Sequence, residues 1–185
     1  MVTRIAINGF GRIGRLVLRA LEESKRKDLK VIAINDLGSA EFNAHLFEYD
    51  SNHGKFNGNI NVSRNSFIIG SNQIKVFSER DPKNLPWKKL KIDILLECTG
   101  IFTKRADAIK HISAGAKKVL ISAPASDEDL TVVFGVNHKK IKKNMQIVSN
   151  ASCTTNCLAP VAQVLNNSIV INYGFMTTIH AYTGD

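Results

Sequence analysis

Residues 3 to 7 form a short apolar run rich in β-branched side chains. After a polar stretch, apolar positions recur at Ile13, Leu16, Val17, Ala20 and Leu21. The first pattern predicts a buried strand and the second the inner face of a helix. Residues 31 to 34 supply another apolar run, ended by Asn35 and Asp36. Strand, helix, strand in this order predicts a parallel sheet covered by helices, an α/β fold. Ser39 is placed to cap a helix reaching about Glu48, with Phe42, His45 or Leu46, and Tyr49 on its faces. Residues 60 to 78 read as short strands around Gly70-Ser71-Asn72. A continuous apolar strand follows over residues 92 to 98. Thr103 is then expected to cap a helix carrying Ala106, Ile109 and Ile112 and stopping near Gly115. Residues 119 to 122, 131 to 134 and 147 to 148 continue the strand series.

The pattern changes at residue 149. A polar turn leads into a helix with Leu158, Val161, Ala162 and Leu165 on one stripe, which Pro160 is expected to kink because its ring lacks the N–H donor. Residues 169 to 179 read as a strand with no sheet to join. The expected organisation is one nearly complete α/β domain over residues 1–149 and, over residues 150–185, the beginning of a second domain whose remainder is absent from the sequence.

Composition narrows the class. At 185 residues, 44% hydrophobic and 22% charged, the chain has ordinary globular proportions. No apolar run approaches the roughly 18 residues that span a bilayer, and the first fifteen residues lack a signal peptide's apolar stretch, so a cytoplasmic location is expected. Three cysteines are not the even framework of a small secreted scaffold, so free thiols are expected. The formal charge of +9 raises nucleic acid as a partner, but the lysines fall in short separate runs without interleaved aromatics. They read as solvated surface, whose field would also attract small phosphorylated ligands.

Gly9, Gly11 and Gly14 spell G-x-G-x-x-G between the first predicted strand and helix, and Asp36 ends the second strand. A lone match is weak; this full context identifies a dinucleotide-binding turn of the Rossmann type, in a doubly wound parallel sheet. The glycines allow a tight turn and close backbone approach, and the helix N-terminus offers free N–H groups to a pyrophosphate. Asp36 would accept hydrogen bonds from the ribose 2′-hydroxyl and repel a 2′-phosphate, which favours NAD over NADP.

The stretch SNASCTTNC at 149 to 157 holds two cysteines one helical turn apart. A zinc site lacks the second ligand pair it would need, and a disulfide along one helix would distort regular geometry, so no metal is expected. Cys153 stands at the polar entrance to a helix, where unpaired N–H groups and the dipole favour a thiolate, so position favours a nucleophile. Cys157 reads as its packing neighbour, and Cys98, inside an apolar strand, as core. His180 is either a base for the thiol or a structural histidine; spacing does not decide between them. An aldehyde loses hydride only after a nucleophile adds to its carbonyl. NAD together with a reactive cysteine therefore suggests aldehyde oxidation through a hemithioacetal and a thioester.

INGFGRIGR at 7 to 15, AINDL at 33 to 37, ECTGIF at 97 to 102, SNASCTTNC at 149 to 157 and TTIHAYTGD at 177 to 185 closely resemble the phosphorylating glyceraldehyde-3-phosphate dehydrogenase family, in the family's order and along the whole chain. The resemblance implies an NAD-dependent enzyme of glycolysis or gluconeogenesis, a homotetramer of chains about twice this length, whose catalytic domain is α+β. It implies cofactor contacts from Arg12, Ile13 and Asp36, with Arg80 beside the adenine, Ser122 toward the nicotinamide, and Thr99 and Gly100 lining the groove. It makes Cys153 the nucleophile and His180 its base. Ser152 and Thr154 would bind the attacking inorganic phosphate, and Thr183 the phosphate of the substrate. The product would be 1,3-bisphosphoglycerate. SNHG at 51 to 54 departs from the usual form of that segment.

Two other readings compete. Erythrose-4-phosphate dehydrogenase shares the cysteine motif, although HAYTGD and SAPASD favour the triose enzyme. A non-catalytic fragment that binds dinucleotide or nucleic acid is the other, and the 185 residues alone are expected to lack turnover.

Overall fold

The structure, a computed structural model, describes residues 2–181 of the chain. Its centre is a parallel sheet begun by β1 (Thr3–Asn8), which is followed by helix α1 (Arg12–Glu23) and strand β2 (Leu29–Asn35). β1 is buried on both faces: Ile5 and Ile7 enter one core and Ala6 the other, as a central parallel strand requires. β2 pairs with β1 in parallel, with a register shift between Ile5 and Ala6.

Helix α2 (Ala40–Glu48) starts at the expected cap, and the Ser39 hydroxyl accepts the Phe42 N–H at 3.1 Å. Its buried face is made of residues other than those named from the sequence. Ala40, Asn43, Ala44 and Phe47 point inward while Phe42 and Tyr49 are exposed, because the core here is an aromatic cluster built on Phe47. Phe47 lies 4.9 Å from the Phe56 ring and 6.3 Å from that of Phe10. A short ribbon, β3 (Tyr49–Asp50) with β4 (Gly54–Lys55), leads into β5 (Ile60–Ser63), β6 (Ser66–Ile69) and β7 (Asn72–Phe77). β5, β6 and β7 pair antiparallel, and β7 joins β2 in parallel.

The chain then crosses to the other side of β1. A one-turn helix α3 (Trp87–Leu90) precedes β8 (Ile94–Glu97), which pairs with β1. Helix α4 (Arg105–Ser113) follows, capped at Lys104 rather than at Thr103 and without a side-chain cap. Strands β9 (Lys118–Ile121), β10 (Leu130–Thr131) and β11 (Ile147–Ser149) complete the nine-stranded sheet, ordered β10-β11-β9-β8-β1-β2-β7-β6-β5. β10 is shorter than the expected 131 to 134, because the Val133 N–H turns to the Asn137 side chain at 2.8 Å. The architecture is the expected α/β fold, with strand order reversing between β1 and β8. Ligands in such sheets bind at that point, beyond the carboxyl ends of the strands.

Helix α5 (Cys153–Ile169) runs through Pro160, and none of its residues is buried. Leu158, Val161 and Leu165, from the expected stripe, are exposed. The expected strand over 169 to 179 does not form: Ile169 ends the helix, and residues 170–181 carry no regular structure. Apolar and β-branched residues favour a strand only where a partner strand supplies hydrogen bonds, and none does among the described residues. No helix among these residues is long and apolar enough to cross a membrane.

Candidate functional site

At the reversal point a cavity of about 740 Å³ opens above the carboxyl ends of β1, β2, β8 and β9. Gly9, Gly11, Arg12, Ile13, Asp36, Arg80, Thr99, Gly100 and Ser122, nine of the ten residues expected to hold a cofactor, line it. The tenth, Gly14, acts beneath the turn. A Cβ there would stand 2.2 Å from the carbonyl oxygen of Gly9, so only glycine lets α1 pack this close to the loop. Gly9 itself has φ +86°, and a Cβ would stand 2.7 Å from the Thr99 nitrogen. The two glycines thus seat the turn against β8.

The turn is tied to Asp36. One carboxylate oxygen accepts the Phe10 N–H at 2.8 Å and the other the Gly38 N–H at 2.9 Å. The N-cap of α1 is Gly11, which offers no side-chain acceptor, and the first turn of that helix contains no acidic residue. Its leading N–H groups are therefore free to meet an anion at the positive end of the helix. This is the donor set a pyrophosphate requires, with a carboxylate one strand away for a ribose. Arg12 pairs with Asp50 at 3.1 Å. The Asp50 carboxyl is held well below the usual carboxylate range, first by the His53 backbone N–H and further by the Asn52 N–H, the His53 ring and the Arg12 charge.

Several lining residues escaped the sequence reading: Asn8, Asn35, Leu37, Glu79, Ile101, Phe102 and Ala123. Cys98, expected in the core, also reaches the cavity, just past the end of β8. Burial pushes its thiol up to about 11, despite a hydrogen bond with Ser122. Backbone ends of apolar strands carry no side-chain pattern, so only strand order could have pointed to these positions.

The cysteine motif begins at the end of the neighbouring strand and runs into α5. β11 pairs with β9, and the Ser149 hydroxyl donates to the Ala123 carbonyl at 2.7 Å, in the cavity wall beside Ser122. The chain then turns through Ala151, at φ +59°, and Ser152 caps α5 by accepting the Thr155 N–H at 3.0 Å. Cys153 is the first residue of that helix, and its thiol is free and exposed, as is that of Cys157. His180 comes to the same helix end. Its Nε2 stands 3.3 Å from the Thr154 hydroxyl and 2.9 Å from that of Thr178. Among the described residues no hydrogen bond joins it to Cys153. Thr183 lies outside the described residues.

A sequence profile of the glyceraldehyde 3-phosphate dehydrogenase NAD binding domain matches residues 3–105. The chain belongs to this family. A profile of the C-terminal domain of glyceraldehyde 3-phosphate dehydrogenase matches residues 152–185. Relatives named glyceraldehyde-3-phosphate dehydrogenase are 61% identical in Xanthobacter flavus, 59% in Pseudomonas aeruginosa and 55% in Clostridium pasteurianum, each over the whole of this chain. The chain spans 55%, 56% and 54% of those dehydrogenases respectively, about half the length of the curated relatives it matches.

Proposed function

We propose that the protein oxidises D-glyceraldehyde 3-phosphate to 1,3-bisphosphoglycerate with NAD and inorganic phosphate. The observation that carries the reading is the Ser149–Ala123 hydrogen bond, which ties the turn launching Cys153 to the wall of the dinucleotide cavity. Residues 1–149 act as the cofactor domain, and residues 150–185 begin the catalytic one. The N–H groups opening α1 hold the pyrophosphate, Asp36 the ribose, Arg80 flanks the adenine, and Thr99, Gly100 and Ser122 line the path toward the nicotinamide. NAD, when bound, supplies the hydride acceptor.

The chain's own residues do the rest. The Cys153 thiolate adds to the aldehyde carbon, and the backbone N–H of Cys153 with the His180 ring stabilises the resulting oxyanion. His180, which has taken the thiol proton, passes it to the oxyanion and takes it back as the hemithioacetal carbon gives up hydride, leaving a thioester. Phosphate, held by Ser152 and Thr154, attacks that carbonyl; the acyl phosphate departs and the thiolate is regenerated. Thr183 holds the phosphate of the substrate. The protein works as a homotetramer in the cytoplasm.

The test is turnover by the native polypeptide. NAD reduction with D-glyceraldehyde 3-phosphate should require inorganic phosphate and vanish in Cys153→Ser; turnover persisting in that variant, or without phosphate, overturns the reading. Parallel assays with erythrose 4-phosphate separate the triose from the tetrose enzyme.

A further inference from the structure

Beneath the cavity floor runs a chain of buried polar groups that the proposed chemistry does not use. Glu97, the last residue of β8, is 1% exposed, and His111 of α4 is fully buried. Glu97 Oε1 accepts the Thr99 N–H at 2.8 Å and also the Thr99 hydroxyl. Oε2 accepts the Asn8 amide at 2.6 Å and faces His111 Nε2 at 3.0 Å. The far side of the imidazole decides its tautomer. Trp87 Nε1 can only donate, and it meets His111 Nδ1 at 3.1 Å. Nδ1 therefore accepts, the ring proton sits on Nε2, and the imidazole donates to Glu97.

The chain continues to the opposite wall. Asn8 Oδ1 accepts the Asn35 amide at 2.7 Å, and Asn35 exchanges two hydrogen bonds of 2.8 Å with the backbone N–H and carbonyl of Glu79. Thr99 lines one side of the cavity, Glu79 and Arg80 another, and Asn8 and Asn35 lie between. Thr99 is also the residue against which Gly9 packs without room for a Cβ. A single buried carboxylate thus sets the pyrophosphate turn, through Thr99, and the adenine wall, through Asn8 and Asn35.

We infer that Glu97 is a positioning residue for the dinucleotide, holding the two walls of its cavity at the separation that grips it. An apolar side chain could fill a core position without the cost of desolvating a charge. What it could not do is accept from Thr99, Asn8 and His111 together, and those donors lead to both walls. The inference rests on reading this cavity as the dinucleotide site.

The experiment is calorimetric titration of the native protein with NAD, for wild type, Glu97→Gln and Thr99→Val. The amide introduced by Glu97→Gln would turn an N–H toward one of the present donors, so the Kd for NAD should rise about 10- to 100-fold. The KM for NAD should rise in parallel, while kcat at saturating NAD and the KM for the aldehyde stay within about twofold of wild type, a split that general destabilisation does not produce. Thr99→Val should raise Kd as well, and the double variant should cost less than the sum of the two, because both act through one contact. Wild type and Glu97→Gln binding NAD equally would make Glu97 merely structural and overturn the inference, leaving the cavity assignment intact. Wild type failing to bind NAD would overturn the cavity assignment and this inference with it. Should Glu97→Gln not fold, an unchanged Kd in Thr99→Val overturns the inference on its own.

Discussion

The Asp36 carboxylate accepts the backbone N–H of Phe10 at 2.8 Å, joining the end of the second strand to the glycine turn after the first, 26 residues earlier. Its other oxygen is held by Gly38, so the group is fixed before any ligand arrives. Asp36→Asn keeps one acceptor and turns the other position into a donor facing an N–H. It should lower folding stability by about 1–3 kcal/mol. It should also weaken NAD binding and narrow the preference for NAD over NADP, since the charge that repels a 2′-phosphate is gone. Calorimetry with both dinucleotides checks this; an unchanged ratio of affinities would separate Asp36 from cofactor choice.

The three glycines should fail differently. Gly14→Ala would place a methyl 2.2 Å from the Gly9 carbonyl, and Gly9→Ala combines φ +86° with a 2.7 Å approach to Thr99. Each should destabilise the protein by at least about 2 kcal/mol. A Cβ on Gly11 meets nothing within 4 Å, so Gly11→Ala should fold with a loss under about 1 kcal/mol. Because Gly11 lines the cavity, its methyl should instead weaken NAD binding. Urea midpoints beside dinucleotide titrations distinguish the two kinds of loss; equal midpoints for Gly14→Ala and wild type would contradict the packing argument.

The dinucleotide turn was legible in the sequence because its physics is local: a positive φ, a close approach and a free helix end each demand glycine at a stated spacing. Asp36 was legible because the glycine motif calls for an acidic residue just past the next strand. Glu97 and His111 were not. A polar residue closing a strand and a lone histidine in a helix carry no pattern, and they meet only because β8 and α4 pack together. The inner face of α2 was not legible either, because Phe47 joins an aromatic cluster assembled from three other segments. The strand expected at 169 to 179 failed for a similar reason, since β-branched and aromatic composition describes a side-chain preference while a strand needs a neighbour's backbone. Cys153 at a helix start was legible from its polar approach, and its surroundings were not.

The three thiols should separate by alkylation. Cys153 and Cys157 are exposed, whereas burial raises the Cys98 thiol to about 11. At pH 8 roughly one Cys98 in a thousand is then a thiolate. Iodoacetamide should therefore modify Cys153 first, at the helix N-terminus, then Cys157, and Cys98 only after unfolding. Peptide mass mapping over time reads the order. Labelling of Cys98 in the native protein at the rate of Cys153 would contradict its burial beside Ser122.

Asp50 should make stability sensitive to acid. Its carboxyl accepts two backbone N–H groups at 2.9 Å, from Asn52 and His53, and pairs with Arg12, all of which favour the ionised form. Its folded pKa is therefore depressed, and the unfolded chain binds the proton more readily. The contribution of Asp50 is fully present above the unfolded carboxylate value of about 4 and is lost progressively as pH falls below it toward the folded value. Asp50→Asn removes the charge at every pH, so the variant should be less stable than wild type at pH 7. The gap should shrink as both proteins are acidified below about pH 4. Urea midpoints measured from about pH 7 down to about pH 3 read it directly. A gap that stays constant across that range would mean that the loop holds Asp50 equally well with its proton on.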